Sequence, residues 1–183
     1  MVLLNSENLE LGQPIPPFQL RSVDGQEFSV ESFKSAKALV VMFICNHCPY
    51  VQAIEDRILA LHHQYHRKGV QVIGICSNDP TDYPDDSAEN LRKRWLEKDY
   101  GFPYLIDESQ AVAKAFGAVC TPDIYAYDGA RRLAYHGRLD DNWKQPEFVK
   151  HRELAEALDA LLSGKPLNTV QNPSIGCSIK WKK

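Results

Sequence analysis

The sequence predicts an α/β domain built on a mixed sheet, and three observations carry that prediction. Two apolar runs rich in β-branched residues, Ala38 to Ile44 and Val70 to Cys76, have the length of buried strands. Between them, Val51, Ile54, Ile58, Leu61 and Tyr65 recur at steps of three and four, the spacing of one helical face. Further on, two alternating runs flank Asp128-Gly129 and read as an antiparallel hairpin. A strand, a helix and a strand of this size form a right-handed βαβ unit, and the hairpin makes the sheet mixed.

Each remaining element has a local cause. Gly12-Gln13-Pro14-Ile15-Pro16-Pro17 opens the pattern as a segment whose prolines exclude a helix. Phe18 to Phe28 reads as a short hairpin with Asp24-Gly25 as its two-residue turn. Gly69 stands where a C-cap glycine of the long helix belongs. Asn78 to Asp86 is a loop punctuated by Pro80 and Pro84, and Ser87 is the N-cap of a helix carrying Leu91 and Trp95 on one side. Tyr104 to Ile106 reads as a short strand. Val112, Ala115 and Phe116 mark a short helix stopped by Gly117. Ile124 to Tyr127 and Arg132 to His136 are the hairpin strands, and Leu154, Leu158, Leu161 and Leu162 form the last helical stripe before Gly164. The organisation expected is one domain over 1–183, with 1–37 as an N-terminal hairpin extension and 165–183 as a tail without helix or strand pattern.

Bulk properties bound the function. The chain has 183 residues, of which 44% are hydrophobic and 25% charged, a composition that can bury a core. A formal charge of −3 gives no electrostatic case for nucleic acid or an anionic membrane. No apolar run approaches the roughly 20 residues that a membrane helix needs. The start, Met1-Val2-Leu3-Leu4, is a short apolar patch without basic residues or a cleavage-type segment, so a cytoplasmic location is expected. Five cysteines cannot all pair within one chain, and in a reducing compartment clustered cysteines point to redox or metal chemistry.

The chemistry-bearing motif is Cys45-Asn46-His47-Cys48, placed at the junction of a buried strand and a long amphipathic helix. Two cysteines three apart on a first helical turn can close a small disulfide ring. The helix N-terminus, with its unpaired N–H groups and roughly half a positive charge, favours a thiolate there. Thiols in such settings titrate between about 3.5 and 7.5. Cys45, further out on the turn, is the expected nucleophile, and Cys48 the more buried resolving thiol. Pro49 suits the first helical turn, where its missing N–H costs little. Two readings of His47 stand side by side. It is a solvated residue at a helix start, or an imidazolium that stabilises the Cys45 thiolate and makes the pair more oxidising.

The other cysteines also have two readings each. C-x-x-C supplies two zinc ligands, with a second pair to come from Cys76, Cys120, Cys177 or a histidine, but the separations match no zinc-knuckle spacing and no metal is expected. Cys76 and Cys120 are small buried hydrophobes or additional redox thiols near the dithiol. Cys177 is a third redox thiol reached by tail movement, or an anchor beside Trp181. Thr121-Pro122 precedes a strand. It is an ordinary turn, or a cis-proline facing the dithiol that leaves neighbouring backbone groups to pair with an incoming peptide.

Three motifs together carry a resemblance: Phe43-Ile-Cys-Asn-His-Cys-Pro-Tyr-Val51, Cys120-Thr-Pro-Asp123 and Ile175-Gly-Cys-Ser-Ile-Lys-Trp181. They resemble the peroxiredoxin-like branch of thioredoxin-fold proteins, the alkyl hydroperoxide reductase/thiol-specific antioxidant family. The segments Gly12 to Leu20, Phe102 to Asp107 and Ala113 to Gly117 look like that family's opening and middle, so the likeness covers nearly the whole chain. It implies a thioredoxin-like fold, a mixed central sheet flanked by helices, a redox dithiol, and a cis-proline at Pro122. Two departures accompany it. If Cys48-Pro49 is aligned to a peroxide-reactive cysteine, Cys45 replaces the usual threonine and Val41 the usual proline. Relative to thioredoxins proper, Ile44 replaces the tryptophan before the dithiol, and Leu39 the buried acid. The function expected is a thiol–disulfide oxidoreductase acting on a protein or small-molecule disulfide, with an external thiol as electron donor or acceptor and no cofactor. The alternatives are a thiol-dependent peroxidase and a non-catalytic redox-gated or metal-binding module.

Overall fold

The computed structural model describes residues 3–7, 9–167 and 170–183. Met1 and Val2 of the apolar start, and Asn168 and Thr169 of the tail, lie outside the described residues. In chain order the strands and α-helices are β1 (Leu3–Asn5), β2 (Gln19–Ser22), β3 (Glu27–Ser29), β4 (Ala38–Phe43), α1 (Pro49–His66), β5 (Val70–Cys76), α2 (Ala88–Glu97) and β6 (Tyr104–Ile106). They continue with α3 (Ala111–Phe116), β7 (Cys120–Thr121), β8 (Asp123–Tyr127), β9 (Leu133–Gly137), α4 (Glu153–Ser163) and β10 (Ile175–Ser178).

The sheet is mixed, as expected. Its order is β3-β2-β6-β5-β4-β8-β9, with β4, β5 and β6 parallel and the remaining pairings antiparallel. All six residues of β4 are buried, because alternate side chains leave the strand on opposite faces and both faces are covered. Val40 and Met42 pack with Ile54, Ile58 and Leu61 of α1 and Leu154 and Leu158 of α4. Leu39, Val41 and Phe43 pack on the other side with Phe18, Phe33, Phe116 of α3 and Tyr125. Each such side chain contributes about 1.5–3 kcal/mol on full burial, so this strand is the thermodynamic centre of the domain.

The N-terminal hairpin β2–β3 extends the main sheet, because β2 pairs with β6 through Arg21↔Ile106 and Ser22↔Leu105. Two expectations are corrected. Helix α1 ends at His66 with Arg67 as its cap, and Gly69, at φ +94°, makes the turn into β5 rather than capping the helix. The tail is not patternless. β10 is the middle strand of a second, three-stranded sheet, β1-β10-β7, in which both neighbours run antiparallel to it. Four residues with a glycine among them show too little alternation to be read as a strand, and β10 exists because two distant segments offer it partners. Among the described residues, no helix is long and apolar enough to cross a membrane.

The β10–β7 contact is unusually close at one residue. A Cβ on Gly176 would lie 2.0 Å from the Thr121 carbonyl oxygen and 2.6 Å from its carbon. Backbone cannot yield as a flexible side chain can, so Gly176→Ala is expected to destabilise the protein by about 3 kcal/mol or more. Urea denaturation measures this, and an unchanged midpoint would contradict the close packing.

Candidate active site

The dithiol loop leaves the carboxyl end of β4 and is held from outside. Asp86, closing a short 3-10 turn after β5, accepts the backbone N–H groups of Asn46 at 2.8 Å and His47 at 3.2 Å on one carboxylate oxygen. Its other oxygen accepts from Asn78 Nδ2 at 2.8 Å and pairs with His47 Nδ1 at 2.5 Å. The Asn46 side chain donates to the carbonyls of Asp85 and Asn90 at 2.9 and 3.0 Å, and Gln52 Nε2 donates to the Asn46 carbonyl at 2.7 Å. Burial alone would raise the Asp86 pKa, but the hydrogen bonds from His47 and Asn78 outweigh it and hold the carboxyl below its ordinary value. A carboxylate here therefore places the imidazole proton on Nδ1. Among the described residues, Nε2 of His47 is buried without a hydrogen-bond partner, and the Tyr83 ring lies against the imidazole with centroids 4.4 Å apart.

Cys48, rather than Cys45, is the N-cap of α1, with Pro49 as the first helical residue. The expected placement of both cysteines on the first helical turn is thus corrected: the loop from Cys45 to His47 precedes the helix. Both thiols are buried, at 1% and 0% exposure, so Cys45 does not stand further out. The electrostatics separate them instead. A hydrogen bond from Cys45, opposed by burial, and further bonds from the Cys177 thiol and the N–H groups of Val51 and Cys177 lower Cys48 to about 5. Cys48 Sγ also lies 3.1 Å from the Thr121 carbonyl oxygen, a contact that favours the protonated form, but the donors outnumber it. Burial pushes Cys45 well up, aided by its bond to Cys48 and the nearby Asp86 charge. Of the two thiols, Cys48 is the one whose surroundings favour the ionised form.

The remaining predicted residues are placed as follows. The Thr121–Pro122 bond is cis, and Thr121 Oγ1 lies 3.3 Å from Cys45 Sγ, so this segment does face the dithiol. Its backbone is not left for an incoming peptide, however, because β10 already pairs with Cys120 and Thr121. Cys177 comes within 3.0 Å of Cys48, Sγ to Sγ, without any movement of the tail. Cys120 is buried behind Thr121, and burial pushes its thiol up. Cys76 lines an open cleft of about 1070 Å³ whose other walls include Asn78, Tyr83, Asp86, Lys180 and Trp181. Burial raises Cys76 as well.

Sequence reasoning missed Asp86, Asn78 and Gly176. Cys45, His47 and Asp86 offer three ligand atoms within 4.8 Å of one another. Both Asp86 oxygens are already engaged by hydrogen-bond partners, so a metal would bind there only by breaking the bonds that shape the loop.

With this geometry in view, the comparisons with known proteins are informative. A sequence model described as the AhpC/TSA family matches residues 11–136. The chain belongs to that family. It is similar to a conserved protein from Geobacillus kaustophilus known as a crystal structure, with 46% identity, a TM-score of 0.94, and coverage of 100% of this chain and 97% of that one. Among curated proteins it is similar to the thiol-disulfide oxidoreductase ResA of Bacillus thuringiensis subsp. konkukian, 25% identical over 122 residues. That match covers 67% of this chain and 66% of ResA, just under two thirds of the relative's length. The thiol:disulfide interchange protein DsbE of Escherichia coli K12 is 27% identical over 143 residues, covering 75% of this chain and 70% of DsbE. Solved thioredoxin-like chains at 18% and 16% identity share the fold, with TM-scores of 0.59 and 0.69.

Two outcomes follow from the site. As pH falls through about 5, Cys48 takes up a proton, so the ultraviolet absorbance of one thiolate per chain should be present at neutral pH and disappear around that value. Absence of any thiolate signal at neutral pH would contradict the lowered pKa of Cys48. Asp86→Ala orphans two buried backbone N–H groups and is expected to cost about 2–6 kcal/mol in urea unfolding, whereas Asp86→Asn keeps an acceptor oxygen and costs less.

Proposed function

We propose that the chain is a thiol–disulfide oxidoreductase that donates two electrons from the Cys48–Cys45 pair. The observation that carries this reading is the placement of Cys45 and Cys48 between β4 and the N-terminus of α1, with Cys48 as the N-cap residue and the cis Thr121–Pro122 segment facing the pair. The Cys48 thiolate attacks one sulfur of a disulfide R–S–S–R′, forming a mixed disulfide and releasing R′–S⁻, which takes up a proton from solvent. Cys45 then attacks Cys48 Sγ. The Cys45–Cys48 bond forms, the Cys48–S–R bond breaks, and the proton lost by Cys45 leaves with R–SH. Two equivalents of an external thiol restore the dithiol by exchange and leave as their own disulfide. Asp86 acts as a positioning residue by fixing the loop and the His47 ring, and the Thr121 hydroxyl holds the Cys45 sulfur. The order of attack proposed here differs from the sequence expectation because a hydrogen bond from Cys45, with further donors that include the Val51 N–H at the helix start, favours the thiolate on Cys48. The substrate disulfide is carried by a small molecule or a protein. The names of ResA and DsbE support the reaction class.

Membership in the AhpC/TSA family favours one second reading, reduction of a hydroperoxide by the same thiolate. Cys48–S⁻ would cleave R–O–O–H to give Cys48–SOH and R–O⁻, which takes a proton from solvent to leave as R–OH, and condensation of Cys48–SOH with the Cys45 thiol would release water. Cys45 and Val41, standing where a threonine and a proline activate peroxide in the resembled family, weigh against it.

Cys48→Ser is expected to lower insulin disulfide reduction, with dithiothreitol as donor, by about 100-fold or more. Turnover at the wild-type rate in that variant would sink the proposal. Hydroperoxide consumption far above that of a free thiol, with no insulin reduction, would favour the second reading instead.

A further inference from the structure

The third sulfur of the site is held in place more firmly than its position in a tail suggests. Upstream of Cys177, the Ser174 amide donates to Ser6 Oγ at 2.8 Å and its hydroxyl donates to the Gly137 carbonyl at 2.8 Å. Downstream, the Ile179 N–H reaches the Val119 carbonyl at 2.9 Å, and the Lys180 N–H reaches Asn78 Oδ1 at 2.8 Å. The Lys180 carbonyl accepts from Gln110 Nε2 and from the Asp79 N–H, both at 2.8 Å. Between these anchors, the register sets Cys177 opposite Thr121, the residue before the cis bond. Gly176 lets the two backbones approach, and Cys177 Sγ arrives 3.0 Å from Cys48 Sγ.

This is the arrangement of a bound substrate. An extended segment pairs antiparallel with the strand beside the cis-proline and presents a sulfur to the reactive thiolate, but the segment is the chain's own β10. A disulfide between the two sulfurs needs a closure of only about 1 Å.

We propose that Cys177 is a resolving thiol of this site, able to form a disulfide with Cys48 in competition with Cys45. The inference rests on the oxidoreductase reading above. When Cys48 carries a mixed disulfide Cys48–S–S–R, Cys177 attacks Cys48 Sγ. The Cys48–Cys177 bond forms, the Cys48–S–R bond breaks, and the proton from Cys177 leaves with R–SH. Cys177 is oxidised together with Cys48, the original R–S–S–R′ is reduced to two thiols, and Cys45 remains a thiol. The thiol Cys45 can then attack Cys48 and exchange the pairing to Cys45–Cys48, releasing Cys177 without a change in overall oxidation state.

Trypsin reports the pairing directly, because Cys45 and Cys48 lie in one peptide, 38–57, and Cys177 lies in another, 153–180. The full chain is treated with oxidised glutathione, alkylated and digested without reduction, as wild type, Cys45→Ser, and Cys45→Ser/Cys177→Ser. Cys45→Ser should yield the two peptides cross-linked, two glutathione thiols released per chain, and no lasting glutathione adduct. The double variant should retain glutathione on Cys48. A stable adduct on Cys48 in Cys45→Ser, with Cys177 alkylated and no cross-link in the wild type, overturns the resolving role while leaving the oxidoreductase reading intact. If Cys48 takes up no glutathione and forms no disulfide in any of the three proteins, both the inference and the reading beneath it fail. The wild-type digest needs no substitution, so a cross-link there keeps the test decisive if a variant misfolds.

Discussion

One buried carboxylate sets the form of the dithiol loop. A strand that enters a helix through a non-helical linker exposes backbone N–H groups that nothing in the linker can satisfy, and burying them unpaired would cost more than the fold can spare. Asp86 accepts two such groups in succession and takes the His47 ring on its remaining oxygen. It belongs to the connection after β5, while the dithiol belongs to the connection after β4. Because β4 and β5 are parallel neighbours, their following loops meet at the same end of the sheet. The acid that thioredoxins place within the strand, where this chain has Leu39, is absent here, and a carboxylate arrives from the adjacent crossover instead.

The three sulfurs around this loop divide one negative charge unequally. Like charges a few ångströms apart cannot all ionise in a buried site, so the group with the most donors holds the anion. Cys48 has the helix terminus and two neighbouring thiols as donors, while the Cys177 thiol, buried and bonded to Cys48, is pushed up to about 12. The result is a thiolate flanked by thiols that still carry the protons a leaving group requires.

Much of this was legible in the residues. The apolar runs of β4 and β5, the stripe of α1, the Asp128-Gly129 turn and the Ser87 cap each depend on neighbours within a few positions, and each forms where expected. The dithiol and the cis-proline were legible too, because strand, motif and helix follow one another in sequence. What was hidden depends on contacts between distant segments. Nothing in Asp85-Asp86 distinguishes a solvated loop from a buried acceptor until the parallel pairing brings it to the dithiol. β10 has no pattern of its own and is defined by β1 and β7. The start of α1 at Pro49, with Cys48 as its N-cap, is finer than periodicity can resolve.

The separation between Cys48 and Cys177, 129 residues along the chain, has a consequence for biosynthesis. A ribosome releases β4, the dithiol and α1 long before it has translated β10. During that interval the growing chain carries Cys45 and Cys48 without Cys177 and, once β7 has been made, with no strand over Thr121. Pairing of β10 with β7 therefore closes a site whose other parts precede it in the chain, and until that strand pairs the dithiol is open to surrounding disulfides.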